Sequence, residues 1–355
     1  MRIAQVAPLY EAVPPTGYGG TERVIAALCD GLTDLGHDVT LFAAAGSRTR
    51  GELVEIVPAA LRLRMTRDKM LHAAPHLHLR MLSDVYERAE DFDVIHSHAD
   101  IWTLPFACRS ATPTVLTMHG RLDLDHVRHT LPLYPNVPLI SISDHQRRAV
   151  ADLAVNWAAT VHNGLDLSRY HSATTTRRDH LAFVGRINPE KGPAIAVEVA
   201  RRTGRPLQVA AKIDPLDVDY YEGEIEALFR RNSVAFIGEL HEPDKPAFYA
   251  AAAATLFPSD WPEPFGLVMI ESLAAGTPVI ALRRGSVPEI IVDGVTGFIC
   301  DDVDEMVDAV HRLDDIDPEA CRRRAAMFDV SRMCTGYERV YQSLRRYDDV
   351  LTGAA

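Results

Sequence analysis

The sequence predicts an α/β protein built as two successive Rossmann-like domains, each around a parallel sheet flanked by helices. Three observations carry that expectation. The chain has 355 residues, more than a single core usually spans. It opens with an apolar strand, a glycine-rich loop, a helix and a second strand, the order that favours a right-handed crossover between parallel strands. Beyond residue 180 the same alternation starts again.

In chain order, residues 3–9 read as the first strand. Pro14-Pro15-Thr16-Gly17-Tyr18-Gly19-Gly20 forms the loop, and a helix over 21–35 closes at Leu35-Gly36-His37. Strands follow at 39–44, 92–96, 114–118 and 139–143, the last leading into a helix capped by Ser143 or Asp144. The first half ends near Asn163-Gly164, and the threonine-rich stretch 172–179 reads as a linker. Further strands are expected at 181–185, 207–212, 234–238, 254–257 and 279–282, with helices between them. A last helix over 330–346 has no strand after it and is expected to return to the first domain. The domains are therefore predicted as 1–170, with 330–355 packed back on it, and 171–329.

Composition narrows the function. A hydrophobic fraction of 47% supports substantial cores, and a formal charge of −12 disfavours non-specific nucleic-acid binding. The five cysteines lack paired spacing and any C-x-x-C, which suits reduced thiols and offers no zinc framework. The N-terminal apolar run is broken too early for a signal peptide, and no run approaches a membrane span. A cytoplasmic protein is expected, with at most peripheral membrane contact. For the latter the basic stretch 60–82 (Arg62, Arg64, Arg67, Lys69, Arg80) is the one candidate, although it reads first as a solvated helix face.

Residues 254–282 hold the chemistry that organises the chain. The strand 254–257 stops at Pro258, and a stiff loop follows in which Pro262 and Pro264 bracket Glu263. Apolar residues then recur at helical spacing from Phe265 until Gly276 and Pro278 end the helix, with Glu271 near its middle. One carboxylate thus sits at the carboxyl end of a strand, where open α/β sheets bind ligands. A solvated surface role is the alternative for either glutamate taken alone.

Positive charge is expected nearby. Gly185-Arg186-Ile187-Asn188-Pro189-Glu190-Lys191-Gly192 follows the first strand of the second domain and opens a helix, so Arg186 and Lys191 emerge beside a helix N-terminus. Two cations and unpaired N–H groups there make a diphosphate clamp; a salt bridge to a carboxylate is the alternative. Gly17-Tyr18-Gly19 begins like a dinucleotide loop, but Glu22 takes the place of its third glycine. Gly19 and Gly20 still permit close backbone approach to a phosphate or a sugar. His96-Ser97-His98-Ala99-Asp100 resembles part of a binuclear metal motif, but Ile101 replaces the final histidine, so no metal is expected. His119, after the strand 114–118, is either a satisfied structural histidine or a contact to the reacting group.

Together these pieces resemble the retaining nucleotide-sugar glycosyltransferases of family 4, which have the two-domain GT-B fold. The most specific part is the E-x7-E pair, Glu263 and Glu271, followed by Ala275-Gly276-Thr277-Pro278. Gly185-Arg186, Glu190-Lys191-Gly192, Gly19-Gly20, His119-Gly120, Asn163-Gly164 and the stretch from Gly285 to Glu289 also fit. The resemblance implies that Arg186 and Lys191 hold the donor diphosphate and Glu271 the ribose. Glu263 would contact the donor sugar, with backbone N–H groups of Phe265, Gly266 and Leu267. His119 would lie by that sugar, Gly19 and Gly20 near the diphosphate, and Gly238 and Leu240 along the base. His98, Tyr18 and Arg121 are the acceptor-side candidates.

The implied activity is transfer of a hexosyl unit from a UDP- or GDP-sugar to an acceptor hydroxyl with retention. No cofactor or divalent metal is expected, and the acceptor is a sugar, glycolipid or small molecule. A glycosidase would also use two carboxylates but would not need Arg186 and Lys191. A GT-B sugar-nucleotide epimerase or hydrolase, and a non-catalytic sugar-nucleotide binder, compete with transfer as the implied activity.

Overall fold

The computed structural model describes residues 1–170 and 179–352. It holds two sheets. The first contains β1 (Arg2–Val6), β2 (Asp38–Ala44), β3 (Glu52–Val57), β4 (Val94–Ser97), β5 (Thr114–Met118), β6 (Leu139–Ser141) and β7 (Trp157–Thr160), in the order β3-β2-β1-β4-β5-β6-β7. The second contains β8 (His180–Arg186), β9 (Leu207–Lys212), β10 (Ala235–Gly238), β11 (Ala252–Phe257), β12 (Val279–Leu282) and β13 (Gly297–Cys300), in the order β10-β9-β8-β11-β12-β13. Every ladder is parallel. All six residues of β11 are buried, as expected of an inner parallel strand covered on both faces.

The chain order reverses between β1 and β4 in one sheet and between β8 and β11 in the other. Loops leaving neighbouring strands at such a point diverge to opposite faces and leave a crevice at the carboxyl edge. The loops bearing Gly19 and His98 follow β1 and β4, and those bearing Lys191 and Glu263 follow β8 and β11.

Two compact units correspond to the two sheets. One comprises Met1–Pro15, Gly19–Leu165 and the C-terminal helix from Val330; the other takes Asp166–Asp329 over its described residues, together with Thr16–Tyr18. The predicted linker 172–179, apart from Asp179, lies outside the described residues.

In the first unit, the helix Gly20–Asp34 buries Val24, Ile25, Leu28, Cys29 and Leu32 on one face. The C-terminal helix Val330–Thr352 buries Met333, Cys334, Tyr337, Val340 and Tyr341 at matching helical spacing and packs on it. Their approach is close enough that a Cβ on Gly31 would lie 2.4 Å from Cys334 Sγ. The expected return of this helix to the first unit is therefore what the structure shows. Ser143 caps the helix Asp144–Arg148, its hydroxyl accepting from the Gln146 N–H at 3.1 Å.

The basic stretch 60–82 forms the helices Leu61–Arg64 and Arg67–Glu87. Ala74, His78, Met81, Leu82 and Val85 face the core, while Arg64, Lys69 and Arg80 are exposed, so it is an amphipathic cover. Among the described residues, no helix is long and apolar enough to cross a membrane.

Glu22 departs from the usual fate of a carboxylate in a first helical turn. It is 6% exposed, and burial pushes its carboxyl up to about 7. The folded chain thus holds this proton up to neutral pH, whereas the unfolded chain releases it near the ordinary glutamate value. The stability it favours is full at acid pH and is lost as pH rises through about 7, a change on the order of 3 kcal/mol. Glu22→Gln should therefore unfold at higher urea than wild type at pH 8, with the two converging near pH 4.5. Parallel curves across that range would show that the carboxyl is not held neutral.

Candidate functional site

In the second unit, the loops after β8, β11 and β12 leave adjacent strands and are tied to one another. After β8, the Asn188 side chain accepts from the Lys191 N–H at 3.0 Å, turning the chain into a short 3-10 turn. Gly192 then adopts φ 69°, and a Cβ there would stand 2.3 Å from the Pro258 carbonyl oxygen. Only glycine allows that contact. The Glu190 carbonyl accepts from the Asp260 N–H at 3.1 Å and from Ser259 Oγ at 3.2 Å. The loop after β12 closes from the other side. Ser286 N–H donates to the Glu263 carbonyl at 3.0 Å, the Ser286 hydroxyl donates to that of Phe265, and a Cβ on Gly285 would fall 2.4 Å from Glu263 N.

These ties bring Lys191 and Glu263 together. Lys191 Nζ donates to Glu263 Oε2, both side chains are largely buried, and the ammonium lies 5.2 Å from the centre of the Trp261 ring. Arg186, the last residue of β8, makes an ion pair with Asp217 at 3.3 Å. Both expected cations therefore sit at the carboxyl edge of the sheet, each against an acid. Asp217 escaped sequence reasoning because it lies in a connection that carries no recognisable pattern.

The helix Leu267–Ala274 starts at Gly266, φ 91°, without a side-chain cap, so its first-turn N–H groups are presented by backbone alone. The Phe265 side chain is core, packed edge-on against Phe328, which leaves its backbone as the part able to meet a ligand. Glu271 is only 1% exposed. Lys245 Nζ donates to its Oε1 at 2.9 Å and the Tyr249 hydroxyl to its Oε2 at 2.8 Å. Lys245 also pairs with Glu242 at 2.6 Å. Neither Lys245 nor Tyr249 was singled out from the sequence. The signal was present: a lone lysine opens an apolar helix, with the tyrosine one turn later on the same face. Gly238 ends β10 with φ 75°, and Leu240 packs against Ala182, Ala210, Phe248 and Ala252.

In the first unit, Gly19 is the residue before the helix Gly20–Asp34, with φ 156°, and a Cβ on it would lie 2.8 Å from Pro15. His119 follows β5 and is half-buried, and burial lowers its imidazole to about 4, so it is neutral at pH 7. His98 lies behind it, 3% exposed, with Nδ1 2.8 Å from His119 Nε2 and Nε2 2.9 Å from Gln5 Oε1. The expected acceptor-side contact from His98 thus meets a ring that is covered and engaged at both nitrogens. Arg121 is on the surface, bound through two nitrogens to Asp123 at 2.9 and 2.7 Å. Tyr18 groups with the second unit, its backbone N–H donating to Glu239.

Comparison with known proteins identifies the family. Residues 18–169 match the family described as Glycosyltransferase Family 4, and residues 169–326 match Glycosyl transferases group 1. The chain is 27% identical to a glycogen synthase of Mycobacterium tuberculosis over 98% of its length and 95% of that protein. It is 29% identical to a D-inositol 3-phosphate glycosyltransferase of Kribbella flavida over 84% of its length and 83% of that protein. Among solved structures it is similar to AviGT4, a glycosyltransferase involved in avilamycin A biosynthesis, with 28% identity, a TM-score of 0.72 and coverage of 97% and 98% of the two chains. With one match covering each unit and a solved relative spanning nearly the whole fold, the chain belongs to the family 4 glycosyltransferases of the GT-B fold.

Proposed function

We propose that the enzyme moves a hexosyl unit from a UDP- or GDP-sugar to an acceptor hydroxyl with retention, using Arg186 and Lys191 to neutralise the leaving diphosphate. The observation that carries this reading is the Lys191–Glu263 pair at the switch point of the second sheet, with Arg186 at the carboxyl end of β8, one of the two strands that flank it. A diphosphate arriving there meets two cations whose resident partners are single carboxylates. Its several charged oxygens compete well for both, and the first-turn N–H groups of the helix Leu267–Ala274 add donors.

The step then runs as follows. The anomeric C–O bond lengthens, positive character builds on the sugar ring, and negative charge collects on the diphosphate held by Arg186 and Lys191. The acceptor hydroxyl attacks the anomeric carbon from the face the diphosphate is leaving, and its proton passes to the departing phosphate oxygen. Glu263, released from Lys191, accepts hydrogen bonds from the donor sugar. Glu271, held by Lys245 and Tyr249, meets the ribose, since each carboxylate oxygen accepts more than one bond.

Thermal unfolding with UDP-, GDP- and ADP-sugars tests the donor class, because a bound donor raises the melting temperature by mass action. One base series should stabilise the wild type, and calorimetry of the matching nucleoside diphosphate should show weaker binding to Lys191→Ala by roughly 10- to 100-fold, the worth of a charged hydrogen bond. Equal binding to both proteins would remove Lys191 from the diphosphate site.

A further inference from the structure

Behind His119 the first unit buries a continuous chain of polar groups that the transfer reaction as described does not use. Gln5, His96, His98, Thr117, Tyr337 and Tyr341 are each 3% exposed or less. They come from β1, β4, the segment after β4, β5 and the C-terminal helix. Buried groups of this kind are held by one another or not at all, so the donors and acceptors along the chain are interdependent.

With the Gln5 amide nitrogen turned toward Tyr341, one direction runs through the whole chain. Gln5 Nε2 donates to the Tyr341 hydroxyl at 3.1 Å, which leaves that hydroxyl's own proton for His96 Nδ1, 2.7 Å away. His96 must then carry its proton on Nε2, which faces Thr117 Oγ1 at 2.7 Å, and Thr117 passes its hydroxyl proton to Tyr337 at 3.1 Å. On its other side Gln5 offers only an oxygen, so His98 must donate from Nε2 across 2.9 Å. A neutral imidazole that is protonated at one nitrogen accepts at the other. His98 Nδ1 is therefore an acceptor, and the partner 2.8 Å away, His119 Nε2, must be the donor. His119 Nδ1 is left as a lone pair.

We propose that Gln5 and His98 are positioning residues that fix His119 as its Nε2–H tautomer, so that Nδ1 accepts a hydrogen bond from a substrate hydroxyl. The C-terminal helix shares in this setting, since the Tyr341 hydroxyl is what the Gln5 amide nitrogen points to. The arrangement serves a reaction that builds positive charge on a sugar ring. A lone pair at Nδ1 orients a hydroxyl without bringing positive charge to such a reaction. Burial of His96, His98 and His119 disfavours the charged form of each and acts in the same sense. The hydroxyl contact rests on the proposed function; the tautomer does not.

Long-range nitrogen–proton correlation NMR on the full chain labelled with 15N-histidine reads the tautomer directly, without donor. The His119 signal should show a protonated Nε2 and an unprotonated Nδ1. The reverse tautomer, or an even mixture, would overturn the proposal, because the buried chain has a second consistent setting with every donor and acceptor exchanged. His98→Phe should release the restraint, giving mixed His119 tautomers and a kcat lowered roughly 10-fold, the worth of one neutral hydrogen bond, with nucleoside diphosphate affinity unchanged. An unchanged His119 tautomer in that variant would reduce His98 to a structural residue and overturn its part. Should His98→Phe not fold, the wild-type spectrum still decides the tautomer. A fixed Nε2–H tautomer in a protein that binds no nucleotide-sugar would sink the proposed function and leave this inference standing.

Discussion

Glu263→Ala is expected to lower turnover roughly 10²- to 10³-fold, the range for removing one directed group at a developing charge, while nucleoside diphosphate affinity holds or improves. In the resting protein Lys191 is committed to Glu263. Without that carboxylate the ammonium is free for phosphate, so the ground-state contact loses nothing. In the proposed reaction, what disappears is the acceptor for the donor sugar's hydroxyls, which matters when the ring must be held against a departing diphosphate. Lys191→Ala should fail differently, lowering both affinity and turnover. Because the two side chains touch, the double variant should fall short of the sum of the single losses. Initial rates with saturating donor, together with calorimetry on all three variants, separate these effects. A Glu263→Ala protein that loses affinity and rate in equal measure would mean that the carboxylate acts on the nucleotide and not on the sugar.

The pairing of Lys191 with Glu263 also shows what could be read from sequence and what could not. Strand and helix order was legible because the inner strands of a parallel sheet are buried on both faces and read as continuous apolar runs. The strands that went unread, β3, β7 and β13, are all edges. β3 alternates glutamates with apolar residues on a half-exposed surface, and β7 is four residues long with two alanines. Neither presents the run that betrays a central strand. The helix Arg67–Glu87 was read only as a basic face, because Pro75 inside it argues locally for a break.

The site divides along a similar line. Residues adjacent to a glycine or proline signature, such as Lys191, Glu263 and Gly266, could be placed from sequence because the backbone there has few choices. Partners brought in by tertiary packing could not. Asp217 reaches Arg186 from the connection after β9, and Gln5 reaches His98 from a strand where it lies among Ile3, Ala4 and Val6. A glutamine inside a buried strand was a visible anomaly, since an amide there must find partners. Glu271 is the sharpest case. Its motif marks it as a ligand contact, yet its surroundings are those of a buried ion pair, and only coordinates bring Lys245 and Tyr249 to its two oxygens.

Lys245→Met should accordingly be among the most destabilising single changes in the second unit, about 3–5 kcal/mol by urea unfolding. The methionine fills the volume of the lysine stem, so lost packing is small and the cost is electrostatic. Glu271, at 1% exposure, would lose the ammonium that faces its Oε1, while the Tyr249 hydroxyl still donates to its Oε2. Glu271→Gln should cost less, because Lys245 retains Glu242 at 2.6 Å and the amide oxygen can still accept one bond. Combining Lys245→Met with Glu271→Gln removes the stranded charge and should be more stable than Lys245→Met alone. That recovery distinguishes an ion pair from a space-filling role: were the lysine merely a spacer, the second substitution would add its own cost to the first. Additive losses in the double variant would therefore refute the electrostatic account. They would also mean that the ammonium of Lys245 is not what makes the burial of Glu271 tolerable.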